Sequence, residues 1–539
     1  MRNFLVHLFI LLVSPVSSQK WDWAVSPSMN EGYRLTLDKK GNVCVIAYGK
    51  GPYGTYDLQS PDINSALAKH THDGTLIWAV GMKSANPLGV SCDGEGNIYV
   101  TGSFHGTATL YGINNSTMIT GQSFIDAFIA KYSPAGDVQW VSTWDDAKVD
   151  DWGRAIRTDE NGNSYITGMS VYEPEHGPSR YNCFTMKFDN QGLLLWKKDT
   201  QWKKFVCPSG IDIDNRGNCI ISGYFSDTAF FENVALTSSQ FLSVFVTKYS
   251  SDGTLIWCKK QGSNGDLCFG IAVSDQKEIF LTGTYNSPSV FDQVTVSANI
   301  VRNTQKEMFV AKLDSNGTAV WVNSIDSAGG VDIACDSQGS CFVTGVFERG
   351  ATFQGPNPAT IVGHKTSGFF VAKYDEHGLF KWTVTTSGDS CARENSVAAV
   401  ESDNAGNVFV TGKISCNTSF GSSSFNIPYD QAGWYDLFLA KIKDTLYVPT
   451  DLVVAGTMPS IKVYPVPAGD IVYIECVSPG NDAKIQLKNI FGECILEKNI
   501  IPENNFYKAT LNLGTLPNGI YFISVSSDNG VVLQKIVIE

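Results

Sequence analysis

The stretch "KYSPAGDVQW" (131–140) places a lysine nine residues before a tryptophan, and the same spacing returns along the chain. Lys69, Lys131, Lys187, Lys248, Lys312 and Lys373 are followed at that offset by Trp78, Trp140, Trp196, Trp257, Trp321 and Trp382. The lysines sit in the pieces "SALAKH", "DAFIAKY", "CFTMKF", "VFVTKY", "MFVAKL" and "FFVAKY", and a seventh piece, "LFLAKI", carries Lys441. Upstream of each stands a second element: "GNIYVTG" (96–102), "GNSYITG" (162–168), "GNCIISG" (217–223), "KEIFLTG" (277–283), "GSCFVTG" (339–345), "GNVFVTG" (406–412) and the weaker "GNVCVIA" from Gly41. Recurrence of this kind marks a repeat architecture.

Each repeat holds four β-like pieces, here called a to d. In the second they are "PLGVSCD", "NIYVTG", "DAFIAKY" and "DVQWVS", rich in β-branched and aromatic residues and bounded by Gly, Asp, Asn or Pro. Four antiparallel strands per repeat with no amphipathic helix between them predict an all-β, seven-bladed β-propeller. An even-length c–d hairpin loop centred on Ala135 and Gly136 would set Lys131 opposite Trp140, with the lysine stem along a partly exposed indole. Turns such as "DENGN", "DNRGN" and "DNAGN" join a to b, and "DIDNRGN" (212–218), despite some likeness to a calcium loop, reads as a structural turn.

The motif D-x-x-G-N-x-Y-V-T-G followed by F-V-A-K-Y-D-x-x-G-x-x-x-W resembles the bacterial SBBP β-propeller repeat, over roughly residues 21–444. That resemblance implies the fold and export from the cell. It implies no single activity.

The seventh repeat lacks its own tryptophan strand, because Thr450 stands nine residues beyond Lys441. A spare one, "WDWAV" (21–25), lies at the other end of the chain. Trp23 precedes Gly41 by the interval that separates Trp78 from Gly96. Trp21 and Trp23 are therefore expected in the outermost strand of the seventh blade, with Trp23 opposite Lys441, closing the ring and removing an open edge.

Residues 1–18 read as a signal peptide: Arg2, an apolar run from Phe4 to Val13, and the small residues Val16-Ser17-Ser18. No later run approaches the roughly twenty apolar residues of a membrane helix. A formal net charge of −13 argues against nucleic acid. Thirteen cysteines leave at least one unpaired within the chain, and Cys335 with Cys341 form the expected disulfide across "DSQGS". The expected layout is thus signal peptide 1–18, propeller 19–444, linker 445–458 and a C-terminal domain 459–539.

That last segment alternates as short strands, among them "IVYIECV", "AKIQLKN" and "GIYFISVSS", and predicts a small immunoglobulin-like β-sandwich. It resembles the type A C-terminal sorting domain of the type IX secretion system, found in Bacteroidetes. The matching pieces are "VYPVPAGD" with Tyr464, Pro465 and Pro467, "IQLKNIFGECI" with Gly492, "LGTLPNGIYFISV" with Gly519 and Tyr521, and "LQKIVIE" with Lys535. Val466 stands where that family usually has Asn, and Glu539 ends a tail that is often basic. The resemblance implies the type IX machinery as partner and a secreted or outer-surface location, with removal of the sorting domain and attachment to the surface as possible later steps.

No GxSxG, HExxH or phosphate-binding glycine loop occurs, so no catalytic residue, metal or cofactor is assigned. His70 and His72 are read as an exposed turn. With a–b and c–d turns on one face, the b–c and d–a connections share the other, and they are long and irregular. Trp144, Asp145, Asp146, Asp150, Asp151, Trp152, Tyr172, Trp434 and Tyr435 lie there as candidate contacts for a glycan or protein ligand. The reading is an exported, monomeric binding or structural propeller. The alternative is a secreted polysaccharide hydrolase or lyase using acidic pairs such as Asp145–Asp146 and Asp150–Asp151.

Overall fold

The computed structural model of the protein describes residues 19–446 except 28–30, 50–51, 57, 59–61, 145–148, 173–179, 203, 239–240, 263–264, 298–306, 354–357, 363–367, 389–394, 416 and 426–434. It also describes residues 462–538 except 465–470, 478–482, 490–493, 501–505, 515 and 528–529. The segment read as a signal peptide and most of the expected linker thus lie outside the described residues. Among those described the protein is all-β, without a helix. The chain divides into two bodies, Met1–Tyr447 and Val448–Glu539.

In the larger body the repeats fold as antiparallel a–b–c–d patterns. The third repeat is Val149–Thr158, Ser164–Tyr172, Arg180–Phe188 and Leu194–Asp199; the fourth is Phe205–Ile213, Cys219–Ser226, Ser243–Tyr249 and Leu255–Gln261. Twice the d strand runs without a break into the next repeat's a strand, as Leu76–Cys92 and Ala319–Cys335, which merges two repeats into an eight-stranded sheet. The seventh repeat comprises Ser396–Ser402, Asn407–Ile414 and Asp436–Lys443, and its fourth strand is Trp21–Val25, in register Trp23 to Lys441 and Val25 to Leu439.

Aspartate fixes the a–b turns. Asp93, Asp159, Asp214 and Asp403 each accept the backbone N–H groups two and four residues on, and their second oxygen accepts the Asn side chain of the GN pair. The carboxylate at 214 is occupied by its own turn and by Lys248 at 2.9 Å, which explains the calcium-like motif without an ion.

Lysine and tryptophan face each other in all seven c–d pairs, from Lys69–Trp78 to Lys373–Trp382 and, through the N-terminal strand, Lys441–Trp23. The loop differs from the even-length one expected. Ser133 and Asp137 close a three-residue turn (Asp137 O to Ser133 N, 2.8 Å), and a bulge between Lys131 and Tyr132 restores the opposition. The ammonium also lies elsewhere. Lys131, Lys187, Lys312, Lys373 and Lys441 reach over strand-b rings, at 4.8–5.9 Å from Tyr99, Tyr165, Phe280, Phe342 and Phe409. Most of these lysines are buried rather than partly exposed, and Lys69 pairs with Asp38 at 2.9 Å.

The indole turns instead to the next repeat. Trp78, Trp140, Trp196, Trp257 and Trp321 donate Nε1–H to a carbonyl in the following c–d turn, at Pro134, Asn190, Ser251, Ser315 and Glu376. Their rings cover Gly136, Gly192, Gly253, Gly317 and Gly378 of those turns, and Trp23 covers Gly74 of the first repeat. Each such glycine has φ between +73° and +92°. Apolar clusters fill the spaces between repeats. One joins Tyr165 of the third to Ile221 and Phe245 of the fourth. Another joins Val43, Val45 and Ala66 of the first to Phe409, Leu437 and Leu439 of the seventh.

Three further expectations are corrected. Cys335 and Cys341 are in register across their hairpin but are free thiols, Cys341 lying in an apolar cluster against which Cys335 packs, and burial pushes both above the usual thiol range. His70 is buried: it takes the inward position held by Tyr132 and Tyr249 in other repeats and bonds the Tyr53 hydroxyl and the Gly74 carbonyl, each at 3.0 Å, while His72 is exposed. Among the described residues, several of the long b–c connections are regular. Ser116–Thr120 pairs with an extended Ile98–Tyr111, and Thr228–Phe231 with Val234–Thr237, as small hairpins.

In the smaller body Lys462–Tyr464, Ile471–Val477 and Phe506–Asn512 form one antiparallel sheet; Cys494–Ile500, Ala483–Asn489, Gly519–Ser527 and Gly530–Ile538 form another. Val472, Ile474 and Leu511 of the first share a core with Ile485, Leu487, Ile523 and Ile536 of the second.

A methyl at Gly136 would stand 3.0 Å from the Trp78 ring, on a backbone with φ +92°. At Gly106, φ +56°, it would meet nothing within 4 Å. Gly136→Ala should therefore cost roughly 1–3 kcal/mol, and Gly106→Ala about 1 kcal/mol, in denaturant unfolding. Equal losses would show that the indole contact adds nothing to the strain.

Candidate functional site

The a strands carry the site. Each has a bulge at one place in the repeat, and the bulged residues are Tyr33, Leu88, Arg154, Ser209, Phe269, Val331 and Ala398. A bulge leaves one residue outside the pairing and re-aims its side chain. Tyr33, Arg154, Ser209, Phe269 and Val331 all line one cavity of about 410 Å³, together with Arg34, Cys207, Tyr224, Thr284 and Val346. Tyr224 and Thr284 come from the ends of b strands, and Val346 follows the b motif within the extended strand Cys341–Phe353, so the cavity opens on the side of the long connections.

Deeper, a narrower space of about 80 Å³ shares Arg34, Ser209 and Phe269 with the mouth. Its walls include Leu35, Val90, Ile156, Ile211, Ile271, Ile333 and Val400, one from the a strand of each repeat. Charged groups meet there. Arg157 of the third repeat donates Nε–H to Asp212 of the fourth at 2.7 Å and Nη1–H to Glu401 of the seventh at 2.8 Å. Asp212 also accepts the Val273 N–H at 2.7 Å, and Asp332 the Val400 N–H at 3.1 Å. The Asp212 and Glu401 carboxylates hold Arg157 well above even its usual range. Burial pushes Glu401 up despite Arg157, and pushes Asp332 up despite Arg34.

At the mouth, the Arg34 guanidinium lies 5.1 Å from the Tyr33 ring centre and donates through Nη1 to the Ala398 carbonyl at 2.6 Å. Arg154 donates through Nη1 to the Cys207 sulfur at 2.8 Å. Tyr33, Tyr224 and Phe269 are partly exposed.

The loop-face residues singled out from sequence are not among the described lining of this cavity. Trp144 ends a d strand with its ring 5.6 Å from Phe184 and 5.8 Å from Phe188, and its buried Nε1 has no partner among the described residues. Asp150 accepts the Ile125 N–H at 3.0 Å; buried Asp151 accepts the Ser170 hydroxyl and donates its N–H to the Ile125 carbonyl. Trp152, half-buried, pairs with Met169, and Tyr172, exposed, with Val149. The Tyr435 ring lies 4.6 Å beneath the Lys413 ammonium. Asp145, Asp146 and Trp434 lie outside the described residues.

At the chain's two ends, Trp21 donates Nε1–H to the Thr385 carbonyl at 3.1 Å and meets Phe420 edge-on at 5.0 Å. Lys441 lies 3.1 Å from the Asp22 carboxylate and from His72 Nε2. In the smaller body Tyr464 stacks on Tyr473, buried Tyr521 donates to the Pro517 carbonyl at 2.9 Å, Gly519 opens its strand, and Lys535 pairs with Phe522 in register. Pro465, Pro467 and Gly492 lie outside the described residues.

The bulged residues, five of which line the cavity, have a sequence signal. Tyr33, Leu88, Arg154, Ser209, Phe269, Val331 and Ala398 each stand fourteen residues before the last residue of the strand-b motif, from Ala47 and Gly102 to Gly412. Chemistry varies at this one position while the motif around it repeats.

Comparison with known proteins gives the following. Residues 462–539 match the family described as secretion system C-terminal sorting domain. An uncharacterised WD repeat-containing protein of Acanthamoeba polyphaga mimivirus is 21% identical over 71% of this chain, which spans 35% of that relative's length. Among solved structures, the Dos1 propeller has a TM-score of 0.37 at 7% identity, covering 78% of this chain and 94% of that one. An ulvan lyase from a new family of polysaccharide lyases has 0.39 at 11%, covering 75% and 96%. A puromycin hydrolase has 0.38 at 11%, covering 86% and 62%. The sorting domain marks this chain as exported by type IX secretion, to the cell surface or beyond.

Arg157→Met would strand two carboxylates, buried Asp212 and half-buried Glu401. It should cost roughly 3–5 kcal/mol near neutral pH. Glu401 has a raised folded pKa, so its ionised form is penalised as pH rises past the ordinary value and relieved as pH falls. The deficit against the unmodified protein should therefore shrink toward pH 4, which melting curves across pH would reveal.

Proposed function

We propose that this chain is an exported, surface-associated or secreted binding protein: an SBBP-type seven-bladed propeller, closed by Trp21–Val25, that recognises a glycan or protein on its long-connection face. An immunoglobulin-like sorting sandwich delivers it through the type IX route. The observation that carries the reading is the axial cavity of about 410 Å³, walled by the bulge residues of successive a strands. A volume in the few-hundred Å³ range suits one small ligand group.

Several features support the ring. The indole-on-glycine contact runs from Trp78 onward in each repeat but the sixth, where Trp382 bonds Asp444, and Trp23 returns it to Gly74. The deeper space takes one wall residue from every a strand, and Arg157 bridges the third repeat to the seventh. Bulges re-aim side chains without changing the ladders, so binding chemistry sits on a rigid scaffold.

Trp21→Ala should cost roughly 3 kcal/mol, and deletion of residues 19–25 should lower the melting temperature sharply and promote aggregation. An unaltered melt would remove the closure from the proposal. Full-length protein on a glycan array and a polysaccharide panel tests the binding role. Retention without turnover is the expected result, and release of reducing ends would assign the enzyme reading instead.

A further inference from the structure

We propose that the axial mouth binds an anionic saccharide group, a carboxylate or sulfate ester carried on a sugar ring, through Arg34 and Arg154. This rests on reading the cavity as the binding site. The whole chain carries a formal charge of −13, yet the described residues lining the mouth include two arginines and no carboxylate. A concave site of one sign within a low-dielectric wall concentrates ligands of the other sign.

Both guanidiniums are held and still have donors in hand. Among the described residues, only Nη1 of each is engaged, Arg34 by the Tyr33 and Ala398 carbonyls and Arg154 by the Cys207 sulfur. Stacking on Tyr33 further orients Arg34. The remaining N–H groups form the planar fork that matches an oxyanion.

The rest of the wall suits a sugar. Tyr33, Tyr224 and Phe269 offer partly exposed ring surface, and Ser209 and Thr284 offer hydroxyls. Thr284 is 8% exposed, and its Oγ1 has no hydrogen-bond partner among the described residues. An orphaned hydroxyl in a cavity wall is a group that a ligand hydroxyl would satisfy. A protein partner favours a broad surface of about 800 Å² per side, whereas this recess admits one protruding group. Ser209 belongs to the same ring of bulged residues as Arg154, so cation, aromatic and hydroxyl converge from one repeat position.

Calorimetry on the full chain would compare a galacturonate oligomer, a sulfated galactose oligomer, a neutral galactose oligomer and an acidic peptide. Binding of either or both anionic oligosaccharides at least tenfold tighter than the neutral one is expected, and which of them binds identifies the anion. Arg154→Gln should weaken that binding roughly tenfold to a hundredfold at unchanged melting temperature. Should that variant not fold, Ser209→Trp, which fills the mouth, should abolish binding. Equal affinity for the neutral oligomer, preference for the peptide, or full affinity in both variants would overturn the anion assignment and leave a binding role standing. No binding to any saccharide, here or on the array, would overturn the glycan reading itself.

Discussion

A tryptophan lies flat against a neighbouring turn only where that turn has no side chain. The contact between the d-strand indole and the glycine of the next c–d turn, made in every repeat but the sixth, is the constraint on which the larger body depends. It fixes three things at once. The glycine must have a positive φ, as Gly136 does at +92°, which the three-residue turn also requires. In five of the repeats, from Trp78 to Trp321, the indole N–H finds a carbonyl in that turn, which holds the two repeats at one distance. Its own strand must present the ring outward toward the neighbour, which the bulge beside each lysine arranges. Lysine is then best seen as the other half of this joint: its ammonium shares the Asn190 carbonyl with Trp140 and the Ser251 carbonyl with Trp196.

Because this joint is made by strands c and d, strand a is released from it. It supplies residues to the shared cavity and the space beneath it, and one per repeat is freed from the ladder by a bulge. The same backbone device therefore serves Tyr33, Arg154, Ser209 and Phe269, whose side chains have nothing in common. A scaffold held from the outside can vary its interior mouth at one position per repeat with little effect on its packing.

The outer joint was legible in the sequence because it uses rare residues at a constant offset: tryptophan nine after lysine, with the spare Trp23 in register at the other end. The strands were legible for the same reason. The mouth was harder to read, since a bulge depends on local backbone pairing rather than composition, and Tyr33 or Ser209 in isolation resembles any strand residue. Trp144, an aromatic at a loop edge, looks exposed in one dimension, whereas its ring lies against Phe184 and Phe188 of the next repeat and is half-buried. His70 misled similarly, because the bulge after Lys69 turns it inward toward Tyr53. The pairing of Arg157 with Asp212 and Glu401 joins residues up to 244 positions apart, a separation at which no local pattern survives.

That network bears on why the axis can be charged at all. Two carboxylates and a guanidinium near the axis are costly to desolvate, and they persist where each is paired and further bonded, as Asp212 is by the Val273 N–H. Its arginine is consumed by its partners, and with Asp332 beside them three carboxylates stand around the deeper space against Arg157 and the shared Arg34. Arg34 and Arg154, one step nearer the opening, face aromatic and hydroxyl groups instead, apart from the Asp332 charge that Arg34 feels from below. Charge thus changes from net acidic within to cationic at the mouth. In the proposed ring, this gradient draws an anion to the opening and stops it there, since further entry would set it against Glu401 and Asp332.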